Sequence, residues 1–132
     1  MHRGSQGGFL CIWNPSFCDF TPYSSTAGIL LVGQIKGFED EIKILNVYGP
    51  YKDRESFWTQ LVRNGLLQEP NLILGGDLNF TLSSSEVRGS THRDPLSGFF
   101  NSLIQDAGLV DICSIQLGPT WRNGRVADQG TA

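Results

Sequence analysis

A short and mostly apolar run, Asn71-Leu72-Ile73-Leu74, lies just past the middle of the chain, and Gly75-Gly76 follow it. Such a run is typical of a strand inside a sheet, and a strand of this kind needs cover on both of its faces. The two glycines are predicted to end the strand, because glycine lets the backbone turn sharply and lets a ligand approach closely. The run therefore predicts an α/β fold in which helices lie on a sheet.

The remaining patterns alternate between strands and helices. Asp53 is predicted to cap a helix that runs to about Gln68, although Gly65 weakens its last turn. A second helix is predicted to start at Asp94, to carry an apolar stripe and to end at Gly108. The predicted strands are residues 7–14, 29–36, 42–48 and 71–74, with a hairpin turn at 37–41. Short extended pieces at 109–115 and 120–122 are predicted to form the last β element. The order β-β-β-α-β-α-β indicates a mixed α/β class.

Length and charge limit the possible functions. The chain has 132 residues, which suits one domain, and 39% of them are hydrophobic, which excludes a disordered protein. The net charge of −3 argues against a protein that coats nucleic acid, because such proteins are basic. An enzyme that contacts a few phosphates is compatible with this charge.

Hydropathy, the amino-terminal residues and the cysteines indicate an intracellular protein. No apolar run approaches the ~20 residues that cross a bilayer, so no membrane association is expected. The amino-terminal residues make a poor signal peptide. The chain has 3 cysteines, an odd number without zinc-like spacing, and a reduced compartment is expected.

Asp77 and Asn79 follow the buried strand on alternate positions. Side chains two apart in an extended segment point the same way, so both are expected to project from the carboxyl end of the strand. Aspartate can orient or deprotonate a water or help to hold a hard cation, and asparagine can donate to a phosphate oxygen. The alternative is that both residues only cap a turn, which they also favour.

Two further groups of residues are weaker candidates. Tyr48 ends a predicted strand before Gly49-Pro50 and could present its hydroxyl to a phosphate, but such a tyrosine is more often a half-buried packing residue. Arg88 lies close to His92 and Arg93 on the loop after Asp77. These side chains could face a DNA backbone, or they could simply be solvated.

The order of the motifs resembles that of a known family. Val-Tyr-Gly-Pro at 47–50 precedes a helical pattern, and Leu-Ile-Leu-Gly-Gly-Asp-Leu-Asn-Phe follows at 72–80. Gly-Leu-Val-Asp at 108–111 and Pro-Thr-Trp-Arg-Asn at 119–123 come later, and the opening residues 7–13 also fit. This arrangement resembles the endonuclease/exonuclease/phosphatase superfamily, and most of all the endonuclease domains of plant LINE-type (non-LTR) retrotransposons. The resemblance spans essentially the whole chain.

The resemblance implies a fold, a reaction and a set of roles. The fold would be part of a four-layer α/β/β/α sandwich with mixed sheets, and the reaction would be Mg²⁺-dependent cleavage of DNA by water attack on phosphorus. In this family the residue matching Asp77 positions or activates the water, and the one matching Asn79 hydrogen-bonds the scissile phosphate. Tyr48 would contact the phosphate or the leaving side. Thr120 would contact DNA.

The chain also departs from the family pattern. The segment with the metal-binding glutamate would precede Gly7, and the Ser-Asp-His segment with the catalytic histidine would follow residue 132. Tyr51 stands where many relatives carry an asparagine. We therefore expect residues 1–132 to be a partial domain with little catalytic activity and with exposed sheet edges that favour instability or association.

Three hypotheses follow. The first is a phosphodiesterase of this superfamily, of retroelement origin, that binds DNA and works in the nucleus if it is functional. The second is a non-catalytic remnant or interaction module that keeps the fold and has lost the site. The third is an unrelated small α/β ligand-binding domain, which the combination of Tyr48, Asp77 and Asn79 disfavours.

Overall fold

The computed structural model describes residues 8–82 and 94–112. Four strands form one sheet, and two helices and a short 3₁₀ helix accompany them. The strands are β1 (Cys18–Ser24), β2 (Gly28–Ile35), β3 (Ile42–Tyr48) and β4 (Leu72–Asp77). The helices are α1 (Arg54–Arg63) and α2 (Ser97–Asp106), with the 3₁₀ helix at Leu66–Gln68.

The sheet is mixed and follows the order β1-β2-β3-β4. β1 pairs with β2 and β2 with β3 in antiparallel fashion, whereas β3 and β4 are parallel. A parallel pair needs a long crossover connection, and α1 lies within it. This confirms the predicted α/β class. In the described part of the chain, no helix is long and apolar enough to cross a bilayer.

The predictions for β2 and β3 agree closely with the structure. β3 has the predicted bounds, and β2 is displaced by one residue at each end. The prediction that Gly75-Gly76 end the fourth strand is wrong, because β4 continues through both glycines to Asp77. β1 was not predicted, since it contains Pro22 and is mostly exposed. Proline is tolerated there because β1 is an edge strand of the described sheet.

The predicted strand at residues 7–14 is wrong for its described part. Residues 8–14 belong to no strand, and no backbone hydrogen bond joins residues 8–13 to another described residue. The segment contacts the sheet through alternate side chains instead. The ring of Phe9 lies 6.3 Å from that of Tyr48, and the ring of Trp13 lies 5.7 Å from that of Phe20. The apolar residues that suggested a strand therefore serve these edge-on ring contacts with the sheet.

The first helix is shorter than predicted. Asp53 stands at the predicted N-cap position, but it has a φ of 55° and makes no side-chain cap hydrogen bond. α1 ends at Arg63 because Gly65 takes a φ of 77°, and residues 66–68 continue as a 3₁₀ helix. Trp58 and Leu61 are the buried residues of α1. Their burial contributes about 1.5–3 kcal/mol each to folding.

Contacts divide the chain into two compact units, with the boundary between Asn79 and Phe80. In the second unit, α2 begins three residues after Asp94, whose carboxylate accepts a hydrogen bond from the Leu96 amide at 2.9 Å. The ring of Phe100 is buried and stacks on that of Phe80 at 4.1 Å. Gly108 follows α2 as predicted. Residues 109–112 form no strand, and the rest of the predicted extended pieces at 109–115 and 120–122 lies outside the described residues.

Candidate functional site

The carboxyl ends of β3 and β4 bring the main candidates together. The two strands are parallel and in a register that pairs Tyr48 with Asp77. The pairing continues one residue further, since the Gly49 amide donates to the Asp77 carbonyl at 2.7 Å. Carboxyl ends of parallel strands are a common place for ligand sites in α/β folds. The structure thus joins two residues that lie 29 positions apart in the sequence.

Asp77 closes a turn with its own side chain. Its Oδ1 accepts a hydrogen bond from the Asn79 amide at 3.3 Å, two residues further on. This is the local bond by which aspartate favours turns. The residue is exposed, so its second carboxylate oxygen is accessible from solvent. The turn interpretation is therefore correct for the backbone here.

The sequence pattern predicted that the extended segment continues to Asn79, and the structure shows that it does not. Asn79 has a φ of 56°, in the left-handed region, and follows the end of β4 by two residues. Its side-chain amide donates to the Gly49 carbonyl. The expectation that Asp77 and Asn79 project together from an extended segment is wrong, because asparagine tolerates the left-handed conformation and the chain turns here. An amide has two hydrogens, and this bond uses one of them.

Tyr48 lies at the same edge with 45% of its surface exposed. Its amide donates to the Ala27 carbonyl at 3.2 Å, and its ring contacts Phe9 edge-on. The hydroxyl has no hydrogen-bond partner among residues 8–82 and 94–112. Tyr48 therefore combines a fixed ring with a hydroxyl that can bind a ligand.

Arg54 is part of this site and was missed from the sequence. It is the first residue of α1, and its Nη1 donates to the Asn79 carbonyl at 3.1 Å. Asn79 is thus held by two hydrogen bonds, one from its side chain to Gly49 and one from Arg54 to its carbonyl. No local signal distinguishes such an arginine from a solvated one, because its partner lies 25 residues away.

Asn46 is a second residue that the sequence did not single out. It lies two residues before Tyr48 in β3, and its Nδ2 is 3.9 Å from the Cys11 sulfur. A Cβ on Gly76 would stand 2.7 Å from its Oδ1. Asn46 therefore packs against the backbone of β4 and supports the strand that carries Asp77.

The described residues do not form a metal site by themselves. No group of three or more His, Cys, Asp or Glu side chains in that part of the chain is arranged to hold a metal ion. Asp77 therefore belongs to no such group among the described residues. Thr120 and Arg88, the predicted DNA contacts, lie outside the described residues.

Comparison of the sequence with protein-family models and with curated proteins gave no match. Comparison of the structure with solved structures found the endonuclease domain of TRAS1, a telomere-specific non-LTR retrotransposon. The two are 21% identical with a TM-score of 0.52, over 69% of this chain and 42% of that one. The chain therefore has part of the fold of a retrotransposon endonuclease domain, and it spans less than half of that domain's length.

Proposed function

We propose that this chain is a DNA-binding, phosphodiesterase-like domain of retrotransposon origin, related to the endonucleases whose fold it partly shares. The observation that carries the proposal is the pairing of Tyr48 with Asp77 at one sheet edge, with Asn79 fixed beside them. A carboxylate, an amide and a phenol at one edge suit a phosphodiester, which needs an activated water and donors to its oxygens. The unrelated ligand-binding hypothesis explains neither this set nor the fold.

Each residue has a distinct proposed role. The Asp77 carboxylate orients the attacking water and accepts its proton, using the oxygen that the turn leaves accessible. The second amide hydrogen of Asn79 donates to a phosphate oxygen. The Tyr48 hydroxyl donates to the same phosphate or to the leaving side. Thr120 is proposed to contact DNA, as the family resemblance implies, and Arg88 is proposed to do so because it lies on the loop that follows Asp77 in the sequence.

Mg²⁺ is the proposed cofactor of the complete reaction, where it would supply Lewis-acid chemistry. The described residues do not fit a complete Mg²⁺ site, because such a site needs several oxygen ligands and Asp77 belongs to no group of three or more metal-binding side chains in that part of the chain. We expect this chain to be weakly active or inactive. In other enzymes the removal of a catalytic group costs several powers of ten in rate.

A second sheet layer is also proposed, as in a four-layer α/β/β/α sandwich. The support is the segment at residues 8–14, where Phe9, Cys11 and Trp13 contact the sheet. The two residues between them, Leu10 and Ile12, are 78% and 83% exposed. The segment is not a strand, but the alternation shows that one side of it covers the sheet, as a second layer does in a sandwich.

The alternative function is a non-catalytic remnant or interaction module that retains the fold. The observation that favours it is the lack of a metal-binding group among the described residues. The two functions predict the same DNA-contacting edge and differ in cleavage alone.

Nicking of supercoiled plasmid, with Mg²⁺ or with EDTA, tests the proposal, together with binding of labelled duplex DNA in EDTA. The variant is Asp77→Ala, and Asp40→Ala in the exposed hairpin turn is its matched control. Slow nicking that requires Mg²⁺ and Asp77 supports the enzyme. DNA binding by a folded chain without nicking supports the remnant. A folded chain that neither binds nor nicks DNA contradicts both.

A further inference from the structure

The loop between β3 and α1 is fastened at both ends to one residue. At its start, the Gly49 carbonyl accepts a hydrogen bond from the Asn79 side chain. At its end, Arg54 donates to the Asn79 carbonyl. Both ends of the loop at residues 50–53 are therefore held next to Asn79, the candidate phosphate contact.

Tyr51 is the most exposed aromatic residue of this site. Its side chain is 75% exposed, and it makes no ring contact or hydrogen bond with another residue of the described ranges. Tyr48, three residues earlier, has its ring against Phe9 and is 45% exposed. The tyrosine at the end of β3 is thus packed, whereas the tyrosine in the loop exposes its ring to solvent.

We propose that Tyr51 is a binding site for an unpaired nucleobase next to the phosphate at Asn79, and this rests on the proposed function. Aromatic rings bind single-stranded nucleic acid by stacking on base faces. Lys52 is adjacent and exposed, so a cation is also present for the strand's phosphates. Together they supply the two chemistries that such sites use.

The geometry limits how far this base lies from the phosphate. Two Cα–Cα steps separate Tyr51 from Gly49, so their Cα atoms are within roughly 8 Å of each other. Stacked bases in one strand are about 3.4 Å apart. Because Gly49 contacts Asn79 directly, the tyrosine ring reaches a base within one or two nucleotides of that phosphate.

The chemistry also selects the form of the DNA. In a matched duplex both faces of each base are covered by its neighbours, and only the base edges are open in the grooves. A ring can stack on a base only where that base is unpaired, as in a bulge or a single strand. Tyr51 therefore favours DNA with an extrahelical base over a matched duplex.

The test measures affinity for two labelled probes in EDTA, by fluorescence anisotropy: a matched duplex and the same duplex with one bulged nucleotide. Tyr51→Leu removes the aromatic ring, Tyr51→Phe keeps it, and Tyr23→Leu is the control at another exposed tyrosine, on β1. Circular dichroism confirms that each variant is folded. We expect tighter binding of the bulge by the wild-type chain. Tyr51→Leu should weaken bulge binding by at least about fivefold, with little change for the duplex.

Rescue by Tyr51→Phe and no effect of Tyr23→Leu complete the expected result. Equal bulge affinity of Tyr51→Leu and the wild type overturns the assignment of Tyr51, while the proposed function stands if both chains bind DNA. If the folded wild-type chain binds neither probe, the proposed function fails and this inference fails with it.

Discussion

Gly75 and Gly76 are neighbours in β4, yet the structure predicts opposite effects when each is replaced by alanine. Gly76 has a φ of 115°, a conformation that residues with a side chain rarely adopt. A Cβ there would stand 2.7 Å from Asn46 Oδ1 and 2.9 Å from the Val47 nitrogen. A Cβ on Gly75 would meet no atom within 4 Å.

These distances give an estimate of the difference between the two variants. Backbone strain at Gly76 costs about 1–3 kcal/mol, and overlap with the backbone of β3 costs about 1–3 kcal/mol more. Both variants gain the same ~0.4–1 kcal/mol from a less flexible unfolded chain. That gain cancels in the comparison, so Gly76→Ala should be less stable than Gly75→Ala by about 2–6 kcal/mol.

Urea denaturation followed by circular dichroism measures this difference. With a slope of about 2 kcal/mol per molar urea, the midpoint of Gly76→Ala should lie roughly 1 M or more below that of Gly75→Ala. Gly75→Ala should match or slightly exceed the wild type. Equal midpoints for the two variants would show that β4 does not approach β3 as described, and the register that pairs Tyr48 with Asp77 would lose its support.

Three other substitutions test the site and the core by thermal unfolding. Asn79→Ala should cost about 1–3 kcal/mol, because it removes the donor to Gly49 and strains the left-handed backbone; Asn79→Gly, which relieves that strain, should cost less. Arg54→Ala should cost about 1 kcal/mol or more through its bond to Asn79, whereas Arg63→Ala at the exposed end of α1 should change stability by under about 0.5 kcal/mol. Trp58→Ala should cost about 3–5 kcal/mol, since the side chain is fully buried, and a smaller loss would contradict that burial.

Local sequence patterns predicted the parts of the fold that depend on near neighbours. β3 has its predicted bounds because its strand-forming residues end at Gly49-Pro50, and both signals are local. Gly65 was recognised as a weak point, and α1 indeed ends just before it. The proximity of Tyr48 and Asp77 was not predicted, since it depends on the parallel pairing of β3 with β4, which no local pattern indicates.

Long-range contacts account for the predictions that failed. The segment at residues 8–14 has the composition of a strand, but a strand also needs a partner backbone, and composition does not supply one. Arg54 was missed because its partner, Asn79, is fixed only after β3 and β4 have paired. The sequence left a turn at Asn79 as one of two possibilities. The hydrogen bond from the Asn79 side chain to the Gly49 carbonyl, which lies 30 residues away, stabilises that turn.

The turn and the site at Asp77 and Asn79 are compatible, although the sequence presented them as alternatives. The turn uses one carboxylate oxygen of Asp77 and one amide hydrogen of Asn79. The other carboxylate oxygen and the other amide hydrogen remain, and the same bonds that form the turn fix their directions. Groups that are held in place in this way lose little entropy when a ligand binds: the amide hydrogen of Asn79 is a donor for a phosphate oxygen, and the carboxylate oxygen of Asp77 is an acceptor for a water. The proposed DNA binding at this edge therefore depends on groups within the described residues. The proposed cleavage also requires metal ligands, and no group of three or more metal-binding side chains is found among those residues.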